Sequence, residues 1–588
     1  MVQTLEKSTD KRGMCKIVAF SAIINLIVFL LFMCFYTLHY EMPDNLGYSQ
    51  YIAEGDYTFG QMGYFICAFF GLIQKIIYPF NAFVFMHLFF SFVAFVSVTV
   101  VFMCKFNKVF AVLATLLFNA FYAVSHYGNI SFTRDPALFC VAGFLLVVHF
   151  VNKKEWKIPI AIGTLLVLVG SMYRFRVFEV SVLLVAILVF GQSLTQYFSI
   201  DKASRNIKKV FAILFEKKRL IVAILLVALC YSTQGISYLI NTSTPELAYY
   251  REYTMIRAKV FDYPIPDYQE CKEEYDKINF DANDVEMLRA WYLDDEGAFT
   301  LDNLKEIRKI QQNYFSEHRD YVRLVKNMIT TELANAKALG DKGVAMFGFG
   351  VLVLAFIVVM KKRAYFVPLF LSVVIFGLYI VLWNTERVPP FRGVYMLWVS
   401  AQAYMLYSFS LSDAKPFFVK LLNEKRKVTT AIISVAVTLT SALGFYLSIT
   451  SNYTLPSYSN VDTSAELKEY FEENKDKKFE LSRATGLTDT NNNVLYITET
   501  VYKNNQSYFF NNTYYRYENY ERHMREFGTD NMYSNLLNDN VYFVCNTEND
   551  HSKIMNTYLN KYYGNGDKIS YTAVDSFKNY VIYKFAKE

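Results

Sequence analysis

The chain has 588 residues, 54% hydrophobic and only 19% charged, with a formal net charge of +6. A soluble chain of this length would carry more surface charge and divide into several domains. The positive surplus sits in short connections between apolar runs, which excludes a nucleic-acid-binding face and fits the cytoplasmic loops of a membrane protein.

The N-terminus, residues 1–16, carries Lys7, Lys11, Arg12 and Lys16. The apolar run that follows, 17–38, is longer than a signal peptide's apolar core and lacks a small-residue cleavage site, so it reads as a retained helix. Further apolar runs cover 82–104, 109–127, 136–152, 157–173, 178–197, 220–240, 343–360, 365–383, 393–411 and 429–449. Most approach the roughly twenty residues that cross a bilayer core. One more run, 61–80, decides the topology. If it crosses, the lysine-rich stretches 105–108, 152–157, 201–219, 361–363 and 412–427 face the opposite side from the basic N-terminus. If it lies along the surface, with Lys75 and Tyr78 as anchors, every one of them shares the N-terminal side. The second arrangement is predicted: eleven spans, N-terminus cytoplasmic, C-terminus outside.

The resulting expectation is a polytopic α-helical membrane protein in a cell membrane, with five parts. Residues 1–16 are cytoplasmic, and 17–240 form an N-terminal transmembrane module with a first external loop at 39–60 and a juxtamembrane helix at 61–80. Residues 241–342 form a helical external insert, 343–449 the later spans, and 450–588 a small external α/β domain. The insert carries helical runs such as "VEMLRAWYLDD" and "LDNLKEIRKIQQNYFSEHRDYVRLVKNMITTELANAKAL". The tail alternates strand-like runs ("NVLYITET", "NVYFVCN", "KISYTAV", "NYVIYKF") with helical ones ("SAELKEYFEEN", "HSKIMNTYLNKYY"). The eight cysteines lack metal-type spacing, and Cys271 and Cys545, in the polar regions, read as unpaired thiols.

No Asp, Glu, Lys or Arg falls in the middle of a predicted span, and His87 and His149 read as packed or interfacial. Ion-coupled transporters place such groups at mid-membrane depth, so transport through the core is disfavoured. Charge gathers instead at the predicted outer helix ends: Asp44, Arg134, Asp135, Arg174, Arg176, Glu179, Arg387 and Arg392. Arginine binds phosphate oxygens as a bidentate fork, and a carboxylate can act as base on a hydroxyl or hold a divalent cation. Each residue has a plainer reading too. Arginines at helix ends snorkel to headgroups, and Asp135 before Pro136 fits a helix start. Glu41, Glu54 and Asp56 read as a solvated loop face, whereas no helix is predicted to start beside Asp44.

The layout resembles the GT-C superfamily of membrane glycosyltransferases, which use polyprenyl-phosphate-linked sugars. Three stretches carry the likeness: "MPDNLGYSQYIAEG" after the first span, "ISFTRDPALFCVAGFLL" opening the fourth, and "GSMYRFRVFEV" ending the fifth. Asn45 stands where many members have a second acid, and "FRGVYMLW" replaces the usual Arg-Tyr-x-x-Pro. The resemblance implies an inverting sugar transferase with a polyprenyl-phosphate sugar donor in the bilayer. Its acceptor would be an extracellular glycan, wall polymer or protein. It implies Asp44 and Asp135 as catalytic residues, and Arg134, Arg174, Arg176, Arg387 and Arg392 as ligands of the substrate phosphate. A divalent cation, magnesium or manganese, is the candidate cofactor, with Asp44 and Asp135 as its ligands if one binds. The alternatives are an O-antigen-type polymerase or ligase, and a lipid-linked glycan flippase or exporter.

Overall fold

The computed structural model describes residues 11–41, 43–58, 61–153, 157–200, 208, 216–293, 295, 298–338, 341–383, 391–453, 461–482, 494–497, 505–508, 525, 527–577 and 579–588. In chain order come α1 (Lys11–Phe35), β1 (His39–Tyr40), α2 (Pro43–Glu54), α3 (Tyr64–Ile77), α4 (Ala82–Lys105), α5 (Lys108–Tyr127), β2 (Asn129–Ile130), α6 (Asp135–Phe150), α7 (Lys157–Tyr173) and α8 (Phe175–Ser199). Five later apolar helices follow: Lys217–Ile240, Asp341–Val359, Phe366–Trp383, Phe391–Ser408 and Arg426–Tyr453.

All eleven predicted spans are therefore helices, and among the described residues eight are long and apolar enough to cross a bilayer. The other three differ for identifiable reasons. α6 and α7 have only 16 and 17 residues, and Phe391–Ser408 carries Arg392, Gln402 and three tyrosines. α6 is buried on every side from Asp135 to Val147, as expected of a helix apolar all round. By contrast, Val428, Ile432, Val435 and Leu439 on the Arg426–Tyr453 helix are exposed and form a face for lipid. The run 61–80 yields only the 14 residues of α3, about 21 Å at 1.5 Å per residue and too short to span. It buries Ile66, Cys67, Phe70 and Gln74 and exposes Phe65, Phe69, Leu72 and Ile76, the two faces of an interfacial helix.

Two devices hold the bundle without a hydrophobic drive between helices. Asn25 of α1 donates from Nδ2 to Thr99 Oγ1 of α4 at 2.9 Å, and Asn119 of α5 donates to Asn25 Oδ1 at 3.2 Å. α6 and α7 meet backbone to backbone at Gly143 and Gly163. A Cβ on Gly143 would lie 2.5 Å from the Gly163 carbonyl oxygen, and one on Gly163 would lie 2.8 Å from that of Gly143.

Residues of the insert and of the C-terminal tail share one core, in which Tyr253, Phe299 and Leu304 pack with Tyr533, Phe543 and Tyr558. Asp295 accepts from the Tyr558 and Tyr563 hydroxyls at 2.5 and 2.6 Å, and Tyr533 donates to the Leu293 carbonyl at 2.6 Å. The sheet has the order β4-β3-β5-β7-β6, built from β3 (Lys478–Leu481), β4 (Gln506–Tyr508), β5 (Val541–Asn546), β6 (Ile569–Phe577) and β7 (Tyr580–Lys587). β3 runs parallel to β4 and β5, and β7 antiparallel to β5 and β6.

Of the predicted strands, "NVYFVCN", "KISYTAV" and "NYVIYKF" are β5 to β7, and both predicted tail helices form, as Val461–Glu473 and Ser552–Tyr563. "NVLYITET" is no sheet strand in its described part; Tyr496 instead bridges to Phe80. The helix over "VEMLRAWYLDD" stops at Arg289, and Trp291 has a φ of 66°. The long predicted run from Leu301 divides into Leu301–Glu317 and Tyr321–Ala338. Cys271 and Cys545 are buried and free.

Alternation along β3 turns Phe479 and Leu481 into one core and leaves Glu480 on the opposite face, fully buried. Asn535 Nδ2 donates to Glu480 Oε1 at 2.6 Å, while Oε2 has no partner among the described residues. Burial pushes this carboxyl well above the usual carboxylate range. The folded protein then keeps a proton that the unfolded chain releases. Its contribution to stability is full below the unfolded value of about 4.3 and is lost as pH climbs toward the folded value. Glu480→Gln should therefore match the parent near pH 4 and unfold at higher temperature at pH 7, as thermal midpoints in detergent would report. Equal midpoints at pH 7 would refute a protonated Glu480.

Candidate active site

Two short loops are sewn together at one end of the bundle. β1 pairs in parallel with β2, extended by His39 N–H to the Gly128 carbonyl at 3.0 Å and Glu41 N–H to the Ile130 carbonyl at 3.1 Å. The pairing joins the chain leaving α1 to the chain leaving α5.

α2 begins just beyond β1, with Pro43 opening it and Asp44 in its first turn. The reading that no helix starts beside Asp44 is thus corrected: its carboxylate sits where a helix dipole favours an anion. Asp44 is half-buried, and its neighbour Asn45 is buried. Asn45 Oδ1 accepts the Phe132 N–H at 2.9 Å, and Tyr48, one turn on, meets the Phe132 ring edge to face, centroids 4.6 Å apart. α2 therefore rests on Phe132.

Arg134 follows two residues later and is buried. Its Nη2 pairs with Glu41 Oε1 at 2.8 Å, and its guanidinium lies 5.0 Å from the Phe391 ring centroid and 5.7 Å from that of Tyr395. Glu41, read from sequence as solvated, has only 7% of its side chain exposed because it faces this cation. Asp56 is buried too and accepts the Thr58 N–H at 3.1 Å; Glu54 is exposed as predicted.

Asp135 has both oxygens occupied. Oδ1 meets His126 Nδ1, while Oδ2 meets His87 Nε2 and accepts the Ser131 N–H at 3.1 Å. A carboxylate only accepts, so His126 Nδ1 carries a proton, and in the neutral ring Nε2 accepts from the Tyr395 hydroxyl, 2.8 Å away. All four side chains are buried. His87 is thus more than a packed histidine. Sequence reading missed His126, although it stands nine residues before Asp135 at the end of an apolar run. The adjacent Arg134 faces Glu41 and not Asp135.

Of the remaining arginines, Arg174 is half-buried beside the end of α7; its Nη1 donates to Gln61 Oε1 and its guanidinium lies 5.3 Å from the Phe132 centroid. Arg176 is 84% exposed and pairs with Glu179 at 2.7 Å, one turn along α8. Arg392 is half-buried in the first turn of the Phe391–Ser408 helix, and Arg387 lies outside the described residues. Arg134 therefore packs beside Phe391 and Arg174 on Phe132, the residue against which the helix bearing Asp44 rests; Arg392 directly follows Phe391, while Arg176 pairs with Glu179. As for a cation, Asp135 offers no uncommitted oxygen, and no group of three or more His, Cys, Asp or Glu among the described residues is placed to hold a metal. Asp44 and Asp135 do not fit as a shared cation site.

Fold and site together define a polytopic helical membrane protein in which Glu41, Arg134 and Arg174 are buried or half-buried in the loops at one end of the bundle, and residues 494–497 of the polar tail dock where α3 meets α4. Its fold is similar to that of ArnT from Cupriavidus metallidurans, solved with undecaprenyl phosphate bound, over 96% of this chain and 97% of that one, at 9% identity and a TM-score of 0.37. No family model matches the sequence, and no curated protein matches it either.

Proposed function

We propose that this protein is a membrane glycosyltransferase that moves a sugar from a polyprenyl-phosphate donor to an acceptor hydroxyl at the outer membrane surface. The observation that carries this reading is the convergence on Phe132. Asn45 and Tyr48 hold the Asp44 helix against it, and Arg174 stacks on its ring. Arg134, two residues on, is fixed between Glu41 and the rings of Phe391 and Tyr395. A carboxylate and several guanidinium groups then share a boundary between apolar helices and a polar domain, the chemistry a phosphate-bearing lipid requires.

In this mechanism the lipid lies against the helices with its phosphate at Arg174 and Arg392, and the buried Arg134–Glu41 pair presents its cationic end beneath. Asp44 takes the acceptor hydroxyl proton, and the oxygen attacks the anomeric carbon. The bond to the lipid phosphate oxygen breaks, and its electron pair stays on the phosphate. Direct displacement inverts the anomeric centre. Asp135 acts as a positioning residue through the two imidazoles. The acceptor, a surface glycan, wall polymer or protein, enters beside the polar domain.

The test is transfer from a polyprenyl-phosphate sugar in membranes bearing Asp44→Asn. Loss of a general base lowers the rate by about a hundredfold or more. Activity near the parental level at normal expression overturns the assignment.

A further inference from the structure

Residues 494–497 of the C-terminal tail do not join the sheet; they dock on the membrane bundle where α3 hands over to α4. The Asn81 N–H donates to the Leu495 carbonyl at 2.8 Å, and the Ile497 N–H to the Pro79 carbonyl at 3.0 Å. Tyr496 bridges antiparallel to Phe80, their ring centroids 5.1 Å apart. Val494 is only 2% exposed and belongs to the membrane core.

Asn81 is the hub of this contact. Its Nδ2 donates to the Val494 carbonyl at 3.1 Å and to the Tyr40 hydroxyl at 2.6 Å, while its Oδ1 caps α4 by accepting the Val84 N–H at 3.3 Å. The Tyr40 hydroxyl in turn donates to Ser49 Oγ at 3.1 Å, and Ser49 donates to the Leu46 carbonyl at 2.9 Å. Asn81, Tyr40 and Ser49 are all buried. An unbroken path of hydrogen bonds thus runs from the tail's backbone into the first turns of α2, two residues from Asp44.

We infer that the 494–497 strap, with Asn81 and Tyr40, is a positioning element that fixes α2 and so aims Asp44 at the acceptor. The inference rests on the reading of Asp44 as base. It makes the polar domain part of the site's alignment as well as a platform for the acceptor. A misaligned base slows the chemical step and leaves donor binding intact.

Two variants isolate the path. Tyr40→Phe removes one hydroxyl. Asn81→Asp keeps an oxygen to cap α4 but loses both amide donors. Each is expected to lower kcat about tenfold, the worth of one buried hydrogen bond, with KM for the donor unchanged. Because they act on one path, the double variant should lose no more than either alone. Multiplying losses, or an unchanged kcat in Tyr40→Phe, would overturn the inference.

A readout independent of catalysis uses Asp44→Cys and a membrane-impermeant maleimide, with labelling measured on the peptide containing position 44. Adding Tyr40→Phe, or Val494→Asp to expel the strap, should raise the labelling rate severalfold. An unchanged rate in both refutes the strap's role. An Asp44→Asn protein with full transferase activity would remove the base and leave the labelling result to judge α2 by itself.

Discussion

Asparagine in place of Asp135 is expected to cost about 3–5 kcal/mol of stability and to abolish activity, the scale of a buried charge cluster that loses one member. Both oxygens of Asp135 accept, from His126 on one side and from His87 and the Ser131 N–H on the other. An asparagine offers one accepting oxygen and one amide. Whichever way it turns, an N–H faces another N–H, and a buried donor is left unsatisfied. The damage would spread, because these contacts join α4, α5 and α6 and reach the Phe391–Ser408 helix through Tyr395. The measurement is the unfolding midpoint of purified protein in mixed micelles, alongside transferase rate. A shift worth less than about 1 kcal/mol would mean that the imidazoles do not depend on this carboxylate.

The second large effect concerns Glu41. Glu41→Gln leaves the buried Arg134 short of a carboxylate and is expected to destabilise by about 3 kcal/mol, with little relief from salt because the pair is shielded from solvent. Combining it with Arg134→Gln removes both charges, and most of the lost stability should return. Activity should not, because the proposed phosphate site then lacks the cationic end of that pair. Restored stability with restored transfer would limit Arg134 to a structural role. A double variant as unstable as Glu41→Gln would mean that the charge pair is not what holds these loops.

These two predictions mark where the sequence was and was not readable. Apolar runs near twenty residues gave the eleven helices, and the short α3 agrees with a surface position for 61–80. Arg134 and Asp135 stood out in the sequence because charge beside a long apolar run is costly and conspicuous. Their partners were not. Glu41 lies 93 residues from Arg134, and it is the two-residue pairing of β1 with β2, too short to leave an alternating pattern, that joins their loops. His87 looked like packing because a lone histidine in an apolar helix usually is, and only the return of α6 beside α4 places a carboxylate against it. The strand-like "NVLYITET" has the right residues for a sheet, but tertiary contact with Pro79 and Asn81 outweighs that propensity. The shared core of insert and tail was hidden for the same reason: about two hundred residues separate its halves.

The glycine contact between α6 and α7 has a bearing on traffic within the bilayer. Two backbones that already touch leave no seam for a hydrocarbon tail to part, so the isoprenoid of the proposed donor, approaching sideways, would have to slip in along some other pair of helices. Photo-crosslinkable tails should accordingly mark neighbouring crevices and spare this one.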